Sequence, residues 1–224
     1  MTEFTVAVVT TIDISPDGTK IATGSNDKTA CVWSFPTGRR LLGPFKHGNH
    51  VVATKFSPNG RVIATATGNY VRVYDSRNGR LLVDVPIEGI PAWSDSNSLA
   101  WASDAKQLFA LSDDGNIHRL DASTGTTLSK WPIHSSKEAR CIALASNGAL
   151  IAASAGSSVS LWNTTTHEQI GSVIWFTHHI RSMAISPNDD LMTAGSAKIT
   201  FRGLCHIFSS SHFDLVSTWI KRLV

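Results

Sequence analysis

The side chains of this chain that could carry chemistry include nine histidines and seven tryptophans among 224 residues. Histidine is the commonest metal ligand in proteins and an acid or base near neutral pH. Three histidine pairs are close in sequence: His47 and His50, His178 and His179, and His206 and His212. A metal site needs ligands that converge in space and are held by neighbouring groups. The first two pairs instead fall in short polar stretches between apolar runs, so we predict surface loops and no metal site.

Ser25 and Lys28 match the S-x-x-K spacing of one class of acyl-transfer nucleophile. They flank Asn26-Asp27 between two apolar runs, which is more typical of a tight turn. The sequence contains no G-x-x-x-x-G-K loop, no G-x-S-x-G and no H-E-x-x-H. We therefore predict no catalytic residue and no bound cofactor.

The elements around these residues are short strands. From Ile12 to Trp33 an alternating strand, a Ser-Pro-Asp-Gly turn, a second strand, a tight turn and a third strand follow one another. Period-two patterning broken by Pro, Gly, Asn and Asp predicts a β-meander. One such unit buries too little apolar surface to be stable alone, so it must recur.

The unit does recur. The first turn begins at Ser15, Ser57, Ala102, Ala145 and Ser186, which are separated by 42, 45, 43 and 41 residues. Third strands end at Trp33, Tyr74, Leu120 and Trp162, and a further turn and a fourth strand follow each of them. A period near 42 with four strands per unit is the signature of a β-propeller blade.

The sequences S-P-D-G, A-T-G-S-N-D-K-T and C-V-W-S of the first unit resemble the WD-repeat family, and the resemblance extends over residues 8–202. It implies an all-β fold, a β-propeller of four-stranded antiparallel blades with about five blades recognisable and the ring incomplete. We expect blades at about 1–44, 45–88, 89–133, 134–175 and 176–203. Residues 204–224 depart from the repeat and are expected to form a short helix or strand, with Phe213, Val216, Ile220 and Leu223 on one face.

The resemblance also implies structural residues, because family blades often contain a buried hydrogen-bonded set of His, Ser or Thr, Asp and Trp. No unit keeps the whole set, so we expect apolar packing between blades to supply most of the stability. The matching positions are Thr23, Asp27 and Trp33 in unit one, His47, Thr65 and Tyr74 in unit two, Asp114 in unit three, and Trp162 in unit four. Trp33, Trp101 and Trp162 are expected in the core, whereas Trp93 and Trp175 are expected in exposed loops.

The function that the resemblance implies is a non-catalytic protein–protein interaction scaffold. Loops that join blades and turns between second and third strands would converge on one face, where rigid and varied side chains bind other proteins. The candidate partner-binding residues on that face are Asn26, His50, Asn97, Asp113, Arg140 and Arg181.

Two alternatives remain open. Leu120 to Gly125 (LDASTG) followed by Trp131 is similar to the repeat of quinone-cofactor dehydrogenase propellers. A nucleic-acid-associated propeller is less favoured, because the 20 basic residues are scattered and the net charge is only +3.

Location and assembly can also be predicted. Three separated cysteines and no apolar N-terminal run predict a cytoplasmic or nuclear protein that is neither secreted nor bound to a membrane. Five units form an open array. We therefore expect a truncated propeller that self-associates or receives additional blades from a partner.

Overall fold

The computed structural model describes residues 7–91, 98–133, 138–186, 191–195 and 200–204. These residues form strands and turns without a helix. Within them, no helix is long and apolar enough to cross a membrane. Asn97, Trp93 and the Phe213–Leu223 segment, on which sequence predictions were made, lie outside the described residues.

Strands β1–β19 form five antiparallel sheets. Sheet 1 contains β1 (Val9–Ile14), β2 (Lys20–Ser25), β3 (Thr29–Ser34) and β4 (Arg40–Lys46). Sheet 2 contains β5 (Val51–Phe56), β6 (Val62–Thr67), β7 (Tyr70–Asp75) and β8 (Leu81–Pro86). Sheet 3 contains β9 (Leu99–Trp101), β10 (Gln107–Leu111), β11 (Asn116–Asp121) and β12 (Thr127–Pro132). Sheet 4 contains β13 (Ala139–Leu144), β14 (Leu150–Ala155), β15 (Ser158–Asn163) and β16 (Gln169–Trp175). Sheet 5 contains β17 (Ser182–Ile185), β18 (Leu191–Gly195) and β19 (Thr200–Leu204).

Each sheet is a meander in which consecutive strands are neighbours. The predicted all-β fold of repeated four-stranded antiparallel blades is therefore confirmed, with three strands described in sheet 5. The first strands β1, β5, β9, β13 and β17 pack against one another in succession, so the sheets follow each other around an arc. No packing of comparable extent joins β17 to β1 among the described residues.

Local hydrogen bonds explain why a similar sequence recurs at the turn between the first and second strands of the units. Ser15 Oγ donates to Asp17 Oδ1, which also accepts from the Thr19 backbone N at 3.0 Å. Gly18 has φ +69°, which glycine adopts at little cost. The bonds from Ser15 and then from Thr19 lower the pKa of Asp17 to about 2. Asn59 takes the place of the aspartate in sheet 2.

The core lies between adjacent sheets and is apolar. Val71, Leu99 and Leu108 are fully buried between sheets 2 and 3, and Ile117 and Ile151 between sheets 3 and 4. At about 25 cal/mol per Å² of apolar area removed from water, such contacts provide the main favourable term in folding. Trp101 and Trp162, predicted in the core, are 9% and 8% exposed.

The outward face of sheet 1 differs from the other faces. Ile12 and Ile14 are 62% and 54% exposed. On the same face Trp33 is half-buried, so its predicted place in the core needs correction. The physical reason is that no further sheet covers this face within the described residues.

A second inter-sheet contact recurs at the turn between third and fourth strands. A Cβ on Gly79 would lie 2.9 Å from the ring of Phe45 in β4. A Cβ on Gly125 would lie 2.7 Å from Val83 and from Val85 in β8. Each turn therefore fits tightly against the fourth strand of the preceding sheet.

Sheet 4 makes the same contact with a different residue. His167 occupies the glycine position with φ +61°, a conformation that histidine tolerates better than most residues. Its ring stacks on Trp131 of β12, with 4.2 Å between ring centres.

Gly125 and Gly38 form a matched pair that tests this contact. Both have positive φ (+77° and +65°), but a Cβ on Gly38 meets nothing within 4 Å. Replacement by alanine strains the backbone at both positions. We expect Gly125→Ala to lower the free energy of unfolding by roughly 1–3 kcal/mol more than Gly38→Ala, because only Gly125→Ala overpacks the interface. Urea denaturation measures the difference, and equal losses would contradict the packing.

Candidate functional site

One edge of the sheets collects the segments that connect each sheet to the next and the turns between second and third strands. We call it the loop edge. In every connection a backbone N–H donates to the carbonyl of a turn in the sheet just completed, at 2.6–3.0 Å. These bonds are His47 to Lys28, Ile90 to Gly68, Ile133 to Gly115 and Ile180 to Gly156. The loop edge is therefore tied to the sheets by backbone hydrogen bonds.

The predicted partner-binding residues that the structure describes lie at or near this edge. Asn26 and Asp113 are exposed in the β2–β3 and β10–β11 turns. His50 and Arg181 are exposed directly before β5 and β17. Arg140 is the second residue of β13 and is half-buried.

The predicted structural residues of sheet 1 contact each other only in part. Trp33 Nε1 donates to Thr23 Oγ1 at 2.9 Å. Asp27 Oδ1 accepts from the backbone N and Oγ1 of Thr29 at 2.9 and 2.7 Å, which closes the turn. The Asp27 carboxylate thus closes its own turn, and in the described structure it does not bond to Trp33 or Thr23.

In sheets 3 and 4 the structural residues likewise bond to near neighbours. Asp114 Oδ1 accepts from Ser112 Oγ and from the Asn116 backbone N. Trp162 Nε1 donates to Ser160 Oγ at 2.8 Å.

Asp121, in the stretch similar to quinone dehydrogenases, closes the β11–β12 turn. Its Oδ1 accepts from Ser123 and Thr124. These bonds, with that of the Ser123 side chain the largest, lower the pKa of Asp121 to about 2.

Sheet 2 leaves two of its predicted structural residues without partners. His47 is 9% exposed and Thr65 is 1% exposed. Neither ring nitrogen of His47 nor Thr65 Oγ1 has a hydrogen-bond partner among the described residues. Tyr74 stacks on Phe45 at 4.4 Å and presents its ring to His47 at 6.1 Å. A buried polar group without a partner costs roughly 1–3 kcal/mol, so this region is energetically unusual.

A pocket of about 310 Å³ opens at this part of the loop edge. Its walls combine a connecting segment with the short β6–β7 turn: His47, Gly48, Asn49, Thr67, Asn69, Tyr70 and Arg72. Hydrogen-bonding side chains therefore predominate in its lining.

Two bonds hold the Arg72 guanidinium at the wall of the pocket. Nε donates to Asp84 Oδ1 at 3.0 Å and Nη1 to the Lys46 carbonyl at 3.1 Å. The group lies 5.7 Å from the centre of the Tyr70 ring. The bond to Asp84 raises the pKa of Arg72, which keeps its charge.

The protonation of His47 follows from its surroundings. Burial, followed by the positive charge of Arg72, lowers the pKa of His47 to about 4, and Asp84 opposes the shift. The imidazole is therefore neutral at pH 7 and offers one donor and one acceptor.

Sequence reasoning identified His47 and Thr65 but missed Asn49, Asn69, Tyr70 and Arg72. The available signal was the shortened turn Thr67-Gly68-Asn69, which supplies no aspartate to sheet 2. The pocket itself was not predictable, because it depends on how two separate loops meet.

Comparison with known proteins supports the WD-repeat family. The family model described as WD domain, G-beta repeat matches residues 3–34, 39–75 and 125–163. The chain carries WD repeats. The first two matches contain β1–β3 of sheet 1 and β5–β7 of sheet 2, and the third runs from β12 to the end of β15.

One curated WD-repeat relative supports the same conclusion. The chain is 28% identical over 118 residues to the cross-pathway control WD-repeat protein 2 of Flammulina velutipes. The aligned stretch is 49% of this chain and 36% of the relative. The aligned part of the chain therefore spans about a third of that relative's length.

Neutral His47 makes stability depend on pH. Its pKa of about 4 in the folded chain is below its ordinary value of 6.5. Between these two values the unfolded chain binds a proton that the folded chain does not bind. We therefore expect the free energy of unfolding to fall as the pH is lowered from about 6.5 to about 4, and to be insensitive to His47 above that window.

Replacement of His47 by leucine or glutamine should reduce the slope of unfolding free energy against pH by up to about 1.4 kcal/mol per pH unit. Denaturant titrations at several pH values measure the slope. His50→Leu is the control, since that imidazole is exposed in the same connecting segment. An unchanged slope in both His47 variants would contradict a neutral, buried His47.

Proposed function

We propose that this WD-repeat chain is a non-catalytic scaffold that binds other proteins through its loop edge. The observation that carries the proposal is the repeated backbone bond from each connecting segment to a turn of its sheet. Binding orders the side chains and loops of an interface, which costs free energy. Loops that are already fixed lose less conformational entropy on binding.

The chemistry displayed at the loop edge supports a protein partner. Asn26, His50, Asp113 and Arg181 are exposed there and combine amide, imidazole, carboxylate and guanidinium groups. Such a mixture of groups is better suited to recognising the varied surface of one protein than to binding a ligand made of one repeated chemical group. Trp175, 74% exposed at the end of β16, adds an aromatic side chain of the type that anchors interfaces.

No specific observation favours the nucleic-acid or quinone alternatives. Several basic side chains pair with acidic ones, as Lys55 does with Asp13 and Arg77 with Asp75, at 3.3 and 3.1 Å. A nucleic-acid surface would instead present unpaired cations along a stripe. In the quinone-like stretch, Asp121 bonds to its own turn.

The predictions of location and assembly stay predictions. Cys31 and Cys141 are buried and form no disulfide within the described part of the chain, which supports a reducing compartment such as the cytosol or nucleus. The exposure of Ile12 and Ile14 supports either self-association or added blades from a partner.

The scaffold proposal is tested by proximity cross-linking and mass spectrometry on the intact chain in its native cell extract. A loop-edge variant replaces Asn26, His50, Asp113 and Arg181 with alanine. We expect it to lose at least one partner that the unmodified chain retains, because a few interface residues contribute most of the binding free energy and the substitutions remove candidates for them.

The matched control replaces four exposed residues in the turns at the opposite edge, Arg80, Ser103, Thr165 and Glu168. Like the loop-edge variant, this control removes one cation, one anion and two neutral polar side chains. The control should retain all partners, and both variants should unfold at similar denaturant concentrations. Identical partner sets for the loop-edge variant and the control would contradict the proposal.

A further inference from the structure

In three of the four four-stranded sheets, a carboxylate side chain of the protein lies beside the turn between the second and third strands. Asp27 and Asp114 lie within the β2–β3 and β10–β11 turns. In sheet 4 the β14–β15 turn is short, and Glu138 approaches it from the connecting segment. A Cβ on Gly156 would lie 3.5 Å from Glu138 Oε2. Glu138 also pairs with His179 Nδ1 at 2.9 Å.

Sheet 2 has the same short turn but presents an amide where sheet 4 presents a carboxylate. A Cβ on Gly68 would lie 3.5 Å from Asn49 Nδ2. The Asn49 side chain is held in place because its Oδ1 accepts from the His50 backbone N at 2.8 Å. No acidic residue lines the pocket formed there among the described residues.

The acidic residues Asp84 and Glu88, which follow the pocket residues along the chain, do not line the pocket. Asp84 pairs with Arg72 through Nε, on the strand rather than in the pocket lining. Glu88 is exposed in the next connecting segment and does not line the pocket.

The pocket lining offers hydrogen-bond donors and a positive charge, which are the groups that bind an anionic oxygen. Asn49 and Asn69 carry amide N–H donors, and Arg72 carries a guanidinium with N–H groups beyond the two already bonded, whereas the Thr67 hydroxyl donates to the Tyr70 carbonyl. His47 adds an imidazole that is nine-tenths buried and has no partner among the described residues. Charge-assisted bonds from such donors to a carboxylate are about twice as strong as neutral ones.

We propose that this pocket binds the carboxylate of a glutamate or aspartate side chain in an acidic peptide segment of a protein partner. The partner's carboxylate takes the position that Glu138 occupies in sheet 4. It accepts from Asn49, Asn69 and Arg72 and gives the buried His47 ring a hydrogen-bond partner. This proposal names the partner chemistry for one part of the loop edge and therefore rests on the proposed scaffold function.

A pocket of about 310 Å³ holds one such side chain with its flanking peptide groups. A carboxylate beside the ring would stabilise the protonated form of His47. Binding should therefore raise the pKa of His47 as well as change its chemical shift.

The test uses three blocked tripeptides as probes: acetyl-Ala-Glu-Ala-amide, the same peptide with glutamine, and the same peptide with phosphoserine. Chemical shifts of the His47 ring and of the Asn49 and Asn69 side-chain amides are followed during titration of the intact chain. We expect the glutamate peptide to shift these signals with an affinity about tenfold or more above that of the glutamine peptide, a difference of about 1.4 kcal/mol.

Asn49→Asp is the decisive variant. It keeps the acceptor for the His50 N–H and supplies a carboxylate from within the chain. We expect this variant to fold and to have a higher His47 pKa. We also expect its affinity for the glutamate peptide to be lower by about tenfold or more. Asn59→Asp is the matched control, because it adds the same charge to an exposed turn of sheet 2 away from the pocket and keeps the acceptor for the Arg61 N–H. It should leave the glutamate affinity within about twofold of the unmodified chain.

Three outcomes would overturn the proposal: equal binding of the glutamate and glutamine peptides, binding of the phosphoserine peptide alone, or an equal loss of glutamate-peptide affinity in Asn49→Asp and Asn59→Asp. The last would indicate long-range repulsion rather than a defined pocket. None of these outcomes affects the partner losses expected from the four-residue loop-edge variant, which leaves the pocket lining intact. The two proposals can therefore fail separately.

Discussion

Apolar packing of one sheet against the next is the interaction on which the rest of the structure depends. A single four-stranded meander cannot cover both of its faces, and in the part of the chain that the structure describes no sheet contains the complete set of hydrogen-bonded His, Ser or Thr, Asp and Trp. Ile63, Leu108 and Ile151 are removed from water only because a neighbouring sheet lies over them. The same stacking presses the turn at Gly125 against β8 and the ring of His167 against Trp131.

This packing determines how the loop edge is built. Because each sheet is fixed against the next, each connecting segment can bond through a backbone N–H to a turn of the sheet just completed. Variation between repeats is then confined to side chains and to turn length. In sheet 2 the short turn and the amide of Asn49 leave His47 buried without a partner, and a polar pocket opens beside it. The pocket is a local difference between repeats that share one scaffold.

Much of the fold could be predicted from the sequence, because its signals are local and repeated. Ser15 to Gly18 and Ser57 to Gly60 contain enough information to form their turns, since the bonds involved join residues at most five apart. Repetition then locates the strands. Exposure of Trp175 was also predicted, although from an expected place in a connecting loop, whereas the residue ends β16.

Other features depend on distant neighbours and could not be predicted. Trp33 has the sequence position of Trp162, yet it is half-buried because its side of sheet 1 lacks a covering sheet within the described residues. The pocket needs Arg72 to be held by Asp84 and Lys46, which no short motif encodes. The partner-binding roles of Asn26, His50, Asp113, Arg140 and Arg181 remain predictions, and Asn97 lies outside the described residues.

The central claim is that the loop edge is held as firmly as the sheets that carry it. Native-state hydrogen exchange of the backbone N–H groups of His47, Ile90 and Ile180 tests this most directly, because these groups form the bonds to the turns. The account predicts protection comparable to that of strand N–H groups in β6 and β14, with opening free energies close to that of global unfolding. Exchange at the rate of an unstructured peptide at these three positions would contradict it.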